Sequence, residues 1–194
     1  MRPIRLWLLA GLCALPTVLA AAPASWSPSA LVHALKRHTE ETVRFTEEKH
    51  LQVLSSPLVL HGTLVFRPPD EVEKHVTAPY GETYRIRGDE LSIERPGAGG
   101  ARHVALADYP GLAALASGFR GVLGGDYLLL QRHYRMTLHG QWSRWELDLT
   151  PLAASARKFL RQIRVYGRHR DLERFELQEP GGDRTVIRID GPGR

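Results

Sequence analysis

Residues 58–69 read LVLHGTLVFRPP, and their spacing decides the fold class. Leu58, Leu60, Leu64 and Phe66 recur every second residue, so a pleated strand carries all four on one face, with Gly62 breaking the row. Pro68 and Pro69 end the strand, since proline cannot donate to a ladder. His61 falls on the opposite face, where it is expected to meet solvent. The apolar face must pack against a core or a cargo.

Working outward, Ser27-Pro28-Ser29 offers an N-cap with proline in the first turn, and Leu31, Val32 and Leu35 follow at helical spacing. A helix is expected over about 28–41. From Val43 the period drops to two, which predicts strands at 43–54, 58–67, 71–78, 83–88, 90–95 and 101–106. Arg87-Gly88-Asp89-Glu90 and the loop 97–100 join successive strands as hairpins. Leu112, Leu115, Phe119, Val122 and Leu123 then predict one amphipathic helix or two short ones within 109–125, stopped by Gly124, Gly125 and Asp126. Strands resume at 128–139, 142–150, 159–167, 171–179 and 184–190, with 151–158 a loop or helical turn. An antiparallel sheet of about eleven strands curls as its twist accumulates. The expected fold is α+β: a strongly curved, unclosed antiparallel barrel whose two helical segments can cover its open mouth as a lid over an apolar interior.

The N-terminus sets the compartment. Arg2 and Arg5 precede an apolar run from Leu6 to Ala20, followed by small residues, the layout of a cleaved secretory signal. Residues 1–22 are assigned to it, with cleavage within 20–24, and 25–194 to one domain. The run is shorter than the roughly 20 residues that span a bilayer. Cys13, the single cysteine, lies inside the signal behind Leu12, which excludes a lipidated start as well as disulfides, thiolate metal sites and thiol catalysis in the mature chain. The expected compartment is a Gram-negative periplasm. Lys and Arg total 26 against 21 Asp and Glu. The densest basic stretch (Arg157, Lys158, Arg161, Arg164, Arg168, His169, Arg170 and Arg174) reads as a solvated strand face, its arginines alternating with Phe159, Ile163 and Val165; the alternative is a surface for an acidic partner, a phospholipid headgroup or nucleic acid. Export argues against nucleic acid as a partner.

Motifs for catalysis are missing. There is no G-x-S-x-G elbow, no H-E-x-x-H and no phosphate-binding loop, and Pro96-Gly97-Ala98-Gly99-Gly100 reads as a turn. The nine histidines are scattered without metal-ligand spacing. No catalytic residue, metal or cofactor is therefore expected, and the chain is read as a binding protein, not an enzyme. Alternation places Phe45, Leu58, Leu60, Leu64, Phe66, Leu91, Ile93, Tyr134, Met136, Leu138, Trp145 and Leu147 on one side of successive strands. With Leu112, Leu115 and Phe119 of the central helix, they form either an ordinary core or the candidate lining of a concave apolar cavity.

Four collinear pieces carry a resemblance. Phe45-Thr46-Glu47 is similar to an F-T-Q strand start, and Gly62-x-Leu64-x-Phe66-Arg67-x-Pro69 to G-x-L-x-[VF]-[KR]-x-P. Gly88-Asp89-x-Leu91 is similar to a D-G-x-x-L-W hairpin, and Trp145-x-Leu147-x-Leu149-x-Pro151 to a late strand ending in L-x-P. Together they resemble the periplasmic outer-membrane lipoprotein carrier family. The resemblance implies an unclosed barrel with a helical lid over an acyl-chain cavity, and a monomer that shuttles acylated lipoprotein, or another lipid or glycolipid, from an inner-membrane donor to an outer-membrane acceptor. An ungapped alignment on Phe45 puts the family's lid-closing arginine at Ala34, with Lys36 and Arg37 nearby. The chain stops soon after Ile189, short of the C-terminal extension of typical carriers, so a divergent relative is expected. The alternative is an envelope-stress sensor or regulatory module of the same fold that binds a membrane protein.

Overall fold

The structure, a computed structural model, describes residues 26–190; the expected signal segment, 1–22, lies outside them. Helix α1, Pro28–Leu35, starts where Ser27 Oγ accepts a hydrogen bond from the Ala30 amide at 3.2 Å, and it buries Leu31, Val32 and Leu35. It ends six residues before the expected Glu41, because Glu41 already belongs to strand β1, Glu41–His50, opposite Phe66. Strands β2 (Leu58–Arg67), β3 (Glu71–Ala78), β4 (Glu82–Arg87), β5 (Glu90–Glu94) and β6 (Arg102–Ala105) follow as hairpins. Gly88, at φ 55°, supplies the left-handed residue that the tight β4–β5 turn requires.

A 3-10 turn at Leu106–Asp108 leads into helix α2, Pro110–Gly124, which proline opens and left-handed Gly125 closes. The expected strand at 128–139 is corrected at its front end. Asp126 caps a helix α3, Tyr127–His133, through the Leu129 amide at 2.9 Å, and Leu130 is fully buried against Gly121 of α2. The run Leu128-Leu129-Leu130 has no period of its own, so the cap and the contact with α2 decide its conformation. Strands β7 (Tyr134–Gln141) and β8 (Arg144–Pro151), the short helix α4 (Ala154–Arg157), and strands β9 (Gln162–Arg168), β10 (Asp171–Gln178) and β11 (Arg184–Asp190) complete the chain. Strand β9 begins three residues later than expected, so Phe159 does not alternate with Ile163 and Val165; it lies exposed in the loop before them.

All eleven strands form one antiparallel sheet in the order β6-β5-β4-β3-β2-β1-β11-β10-β9-β8-β7. The terminal strands β6 and β7 do not pair with each other, so the barrel is unclosed. Its convex face is laced with ion pairs. Arg67 reaches Glu40, Glu71 and Glu73 at 2.8–3.1 Å, and Arg85 meets Glu73 at 2.7 Å. Burial works to raise the Glu73 carboxyl, but hydrogen bonds from Arg85 and Arg67 overcome it and hold the group below the usual carboxylate range. The strand arginines of the basic stretch are paired too: Arg164 with Asp148 at 3.7 Å, Arg168 with Glu173 at 3.1 Å and Arg174 with Glu176 at 3.3 Å.

Candidate functional site: the concave face and its helical cover

Directly opposed residues of neighbouring strands share a face. Gly62 therefore lies between Phe45 and Val76, and Leu64 between Val43 and Lys74. Phe66, Val72, Ile86, Leu91 and Val104 make another row. On the other side of β1 the rows run through Ile187, Phe175, Val165, Leu147 and Leu138. Every strand residue in the candidate lining falls on this concave face. Gly62 is not a gap in the wall: a Cβ there would strike the His75 carbonyl and come within 3.0 Å of the Phe45 ring, which covers the glycine. Gly167 stands in the same relation to Trp145, whose indole nitrogen donates to the His169 carbonyl at 3.0 Å.

Helix α2 lies inside the curve. Gly118 lets it approach so closely that a Cβ there would sit 2.7 Å from Ile163, and the Phe119 ring stacks 4.8 Å from Phe175. The Tyr134 hydroxyl donates to the Ala114 carbonyl, and burial pushes that hydroxyl well above the ordinary tyrosine range. Under this cover Phe45, Leu60, Leu91, Tyr134, Trp145 and Leu147 are packed core, and Leu58, Ile93, Phe119, Met136 and Leu138 are partly buried against it or its satellite cluster.

Two of the open volumes are bordered by residues of α2. The larger, about 640 Å³, has an apolar floor of Val43, Leu64, Phe66, Leu123, Leu172 and Ile189 and a charged rim that includes Arg37, Glu41, Arg168 and Glu173. The smaller, about 310 Å³, is lined by Leu112, Leu115, Phe159, Leu160 and Leu177. Of the expected lining, Leu64 and Phe66, both largely buried, border the first and Leu112 and Leu115 the second; Trp145 and Ile93 border two other hollows away from α2, and the others pack in the interior.

The expected lid-closing position, Ala34, carries no polar group, and two other arginines tie the helices down. Arg37, just past α1, meets Glu41 at 2.6 Å and donates to the Arg170 carbonyl at 2.7 Å. Arg120 of α2 donates to the Gly88 carbonyl and to Asp70 Oδ2, both at 2.8 Å, bridging the helix to two sheet turns. Neither partner of Arg120 is near it in sequence, so the bridge had no local signal.

A second unforeseen feature is a charged group inside the concave face. Glu47, where the motif has glutamine, is buried and pairs with Lys74 Nζ, which also lies 5.2 Å from the Phe45 ring centre and 5.7 Å from that of Tyr84. Burial pulls the Lys74 ammonium below the ordinary lysine range against the pull of Glu47. Beside them the Tyr84 hydroxyl donates to buried Glu82, which Arg95 also engages. The apolar floor thus ends in a paired polar group across β1, β3 and β4. Glu47 was readable by alternation, two residues after Phe45. Among the described residues no cluster of His, Cys, Asp and Glu could hold a metal ion.

The family model described as outer membrane lipoprotein carrier protein LolA-like matches residues 20–191. The chain belongs to this family. A search of curated protein sequences finds no match to this LolA-like chain. Solved structures with a similar course include a putative outer membrane lipoprotein-sorting protein domain from Vibrio parahaemolyticus, 8% identical, covering 86% of this chain and 92% of its own at a TM-score of 0.45. A LolA superfamily protein from Nitrosomonas europaea is 8% identical over 83% of this chain and 89% of its own, with a TM-score of 0.43. The lipoprotein LppX from Mycobacterium tuberculosis is 14% identical over 77% and 84%, with a TM-score of 0.39. The unclosed eleven-stranded sheet with helices in its curve is the LolA-like architecture expected from the resemblance.

Proposed function

We propose that the protein is a periplasmic carrier that takes up the acyl chains of lipoproteins, or of another lipid or glycolipid, on its concave face and moves them toward the outer membrane. The observation that carries this reading is the continuity of the apolar floor, which reaches the larger mouth at Leu64 and Phe66, with a face covered by short helices that Arg37 and Arg120 tie down. A mouth of about 640 Å³ falls within the range of ligand pockets, about 300–1,000 Å³. Each methylene moved out of water is worth about 0.8 kcal/mol, so a bare acyl chain does not cross an aqueous compartment unaided. Glycines at 118 and 121 let α2 sit close against Ile163 of the sheet and Leu130 of α3, and displacement of the helix would join the two mouths into one groove. Family membership and the signal-like residues 1–22 support export and a carrier role.

Native mass spectrometry of the mature protein purified from periplasm tests this reading. Bound lipid is expected, and it should be lost from a folded Leu64→Asp or Leu123→Asp variant. A protein free of lipid that instead co-purifies with a defined inner-membrane protein would overturn it.

A further inference from the structure

Beside the smaller mouth the surface changes character. The segment 151–161, PLAASARKFLR, and the segment 127–135, YLLLQRHYR, contain no acidic residue. The two are joined where the Leu152 amide donates to the His133 carbonyl at 2.9 Å. Apolar side chains stand out from them: Phe159 is 59% exposed, Leu152 45% and Leu128 61%. This exposure is built into the fold. Arg157 Nη1 donates to the Pro151 carbonyl at 3.2 Å and to that of Leu152, and the Phe159 amide closes on the Ala156 carbonyl at 3.0 Å, so the loop is held in shape while its apolar tips face water.

The cations here also differ from their neighbours. Arg164, Arg168 and Arg174 on the adjoining strands each meet a carboxylate. Arg132, Lys158 and Arg161 meet none among the described residues, and all three are exposed.

We propose that this surface docks the protein on an anionic phospholipid membrane, with Leu152 and Phe159 entering the interface and Lys158, Arg161 and Arg132 at the level of the headgroup phosphates. Apolar tips ringed by unpaired cations are the chemistry that a bilayer surface selects, because the tips gain by leaving water and each cation gains in the negative surface potential. The placement adds to the case. The Phe159 Cβ lies 2.6 Å from where a Cβ on Gly111 would be, so the loop rests on the first turn of α2 and borders the mouth formed by Leu112, Leu115 and Leu177. Asp108 and Glu179 are the charged residues that line that mouth, and Lys158 and Arg161 stand outside its lining, flanking Phe159 and Leu160 in the chain. A docked protein would present the start of its covering helix, and an apolar opening, to the bilayer from which acyl chains come.

Flotation of the mature chain with phosphatidylethanolamine–phosphatidylglycerol vesicles tests the proposal against phosphatidylcholine vesicles. Binding to the anionic vesicles alone, weakened by salt, is expected. Each cation removed should cost roughly fivefold in partitioning, and Phe159→Ser roughly tenfold. Lys158→Glu with Arg161→Glu should abolish flotation, whereas Arg184→Glu, an exposed change on strand β11, should leave it within the loss of a distant charge; Lys158→Gln with Arg161→Gln serves if the reversal impairs folding. The double variant should keep any co-purified lipid, which separates failure of docking from failure of the carrier reading. Absent flotation, equal binding to neutral vesicles, binding unchanged in the variants, or binding only to native membranes that protease treatment abolishes would each overturn the proposal.

Discussion

Arg120 Nη2 lies 2.8 Å from Asp70 Oδ2, and this pair, with the adjoining bond to the Gly88 carbonyl, bridges helix α2 to the turns at the ends of β2 and β4. Asp70 is partly open to solvent, so the pair contributes modestly to stability, about 1 kcal/mol. Its mechanical role is larger, since apart from the bond of the Tyr134 hydroxyl to the Ala114 carbonyl the contacts that hold α2 on the sheet are mainly apolar.

Arg120→Ala is therefore expected to lower the melting temperature by only a few degrees while speeding amide hydrogen exchange in residues 113–124 and raising uptake of a fluorescent apolar probe. Unchanged exchange in α2 would show that Arg120 is not what holds the helix.

The Glu47–Lys74 pair predicts a coupled response. Removing Lys74 leaves buried Glu47 with only the longer contact to Lys49 Nζ at 3.8 Å, so Lys74→Met should destabilise by about 3 kcal/mol, and Glu47→Gln added to it should recover part of the loss. Chemical denaturation of the two single variants and the double variant measures the coupling.

Gly62→Ala places a methyl group against the His75 carbonyl and the Phe45 ring, with both strands fixed by their ladders. A loss of about 2 kcal/mol is expected. Thr63→Ala, one residue along on the convex face, serves as the comparison in the same thermal melts.

Acid should act through Glu73. Its folded pKa is depressed by Arg85 and Arg67, so its contribution is fully present above the unfolded carboxylate value, about 4.3, and is lost as pH falls through the lower folded value. The stability advantage of the native protein over Glu73→Gln should accordingly be constant near neutrality and shrink only below about pH 4.3. Urea midpoints measured across that range check the sign.

Most of the sheet was legible because alternation is a local property. Leu58, Leu60, Leu64 and Phe66 point one way whatever β2 meets, and the same holds for Trp145, Leu147 and Leu149 on β8. Helix α3 was not legible, since Leu128, Leu129 and Leu130 suit either conformation and the choice rests on the Asp126 cap and on Gly121. The site was half legible. Facing followed from the period, but which lining residues stay open depends on how deeply α2 sits, which Gly118 and Gly121 determine. The Arg120 bridge joins residues 50 apart, and Lys74 enters the interior because the β2–β3 register sets it opposite Leu64; neither relationship exists before the strands pair.

The central claim, that the floor beneath α2 holds acyl chains, is tested most directly by a photo-reactive amino acid placed at Leu64 and, separately, at Thr63. These neighbours point to opposite faces of the same strand. Irradiation of periplasm should give a lipid or lipoprotein adduct from position 64 and none from position 63. No adduct at 64, or equal adducts at both, would contradict the account.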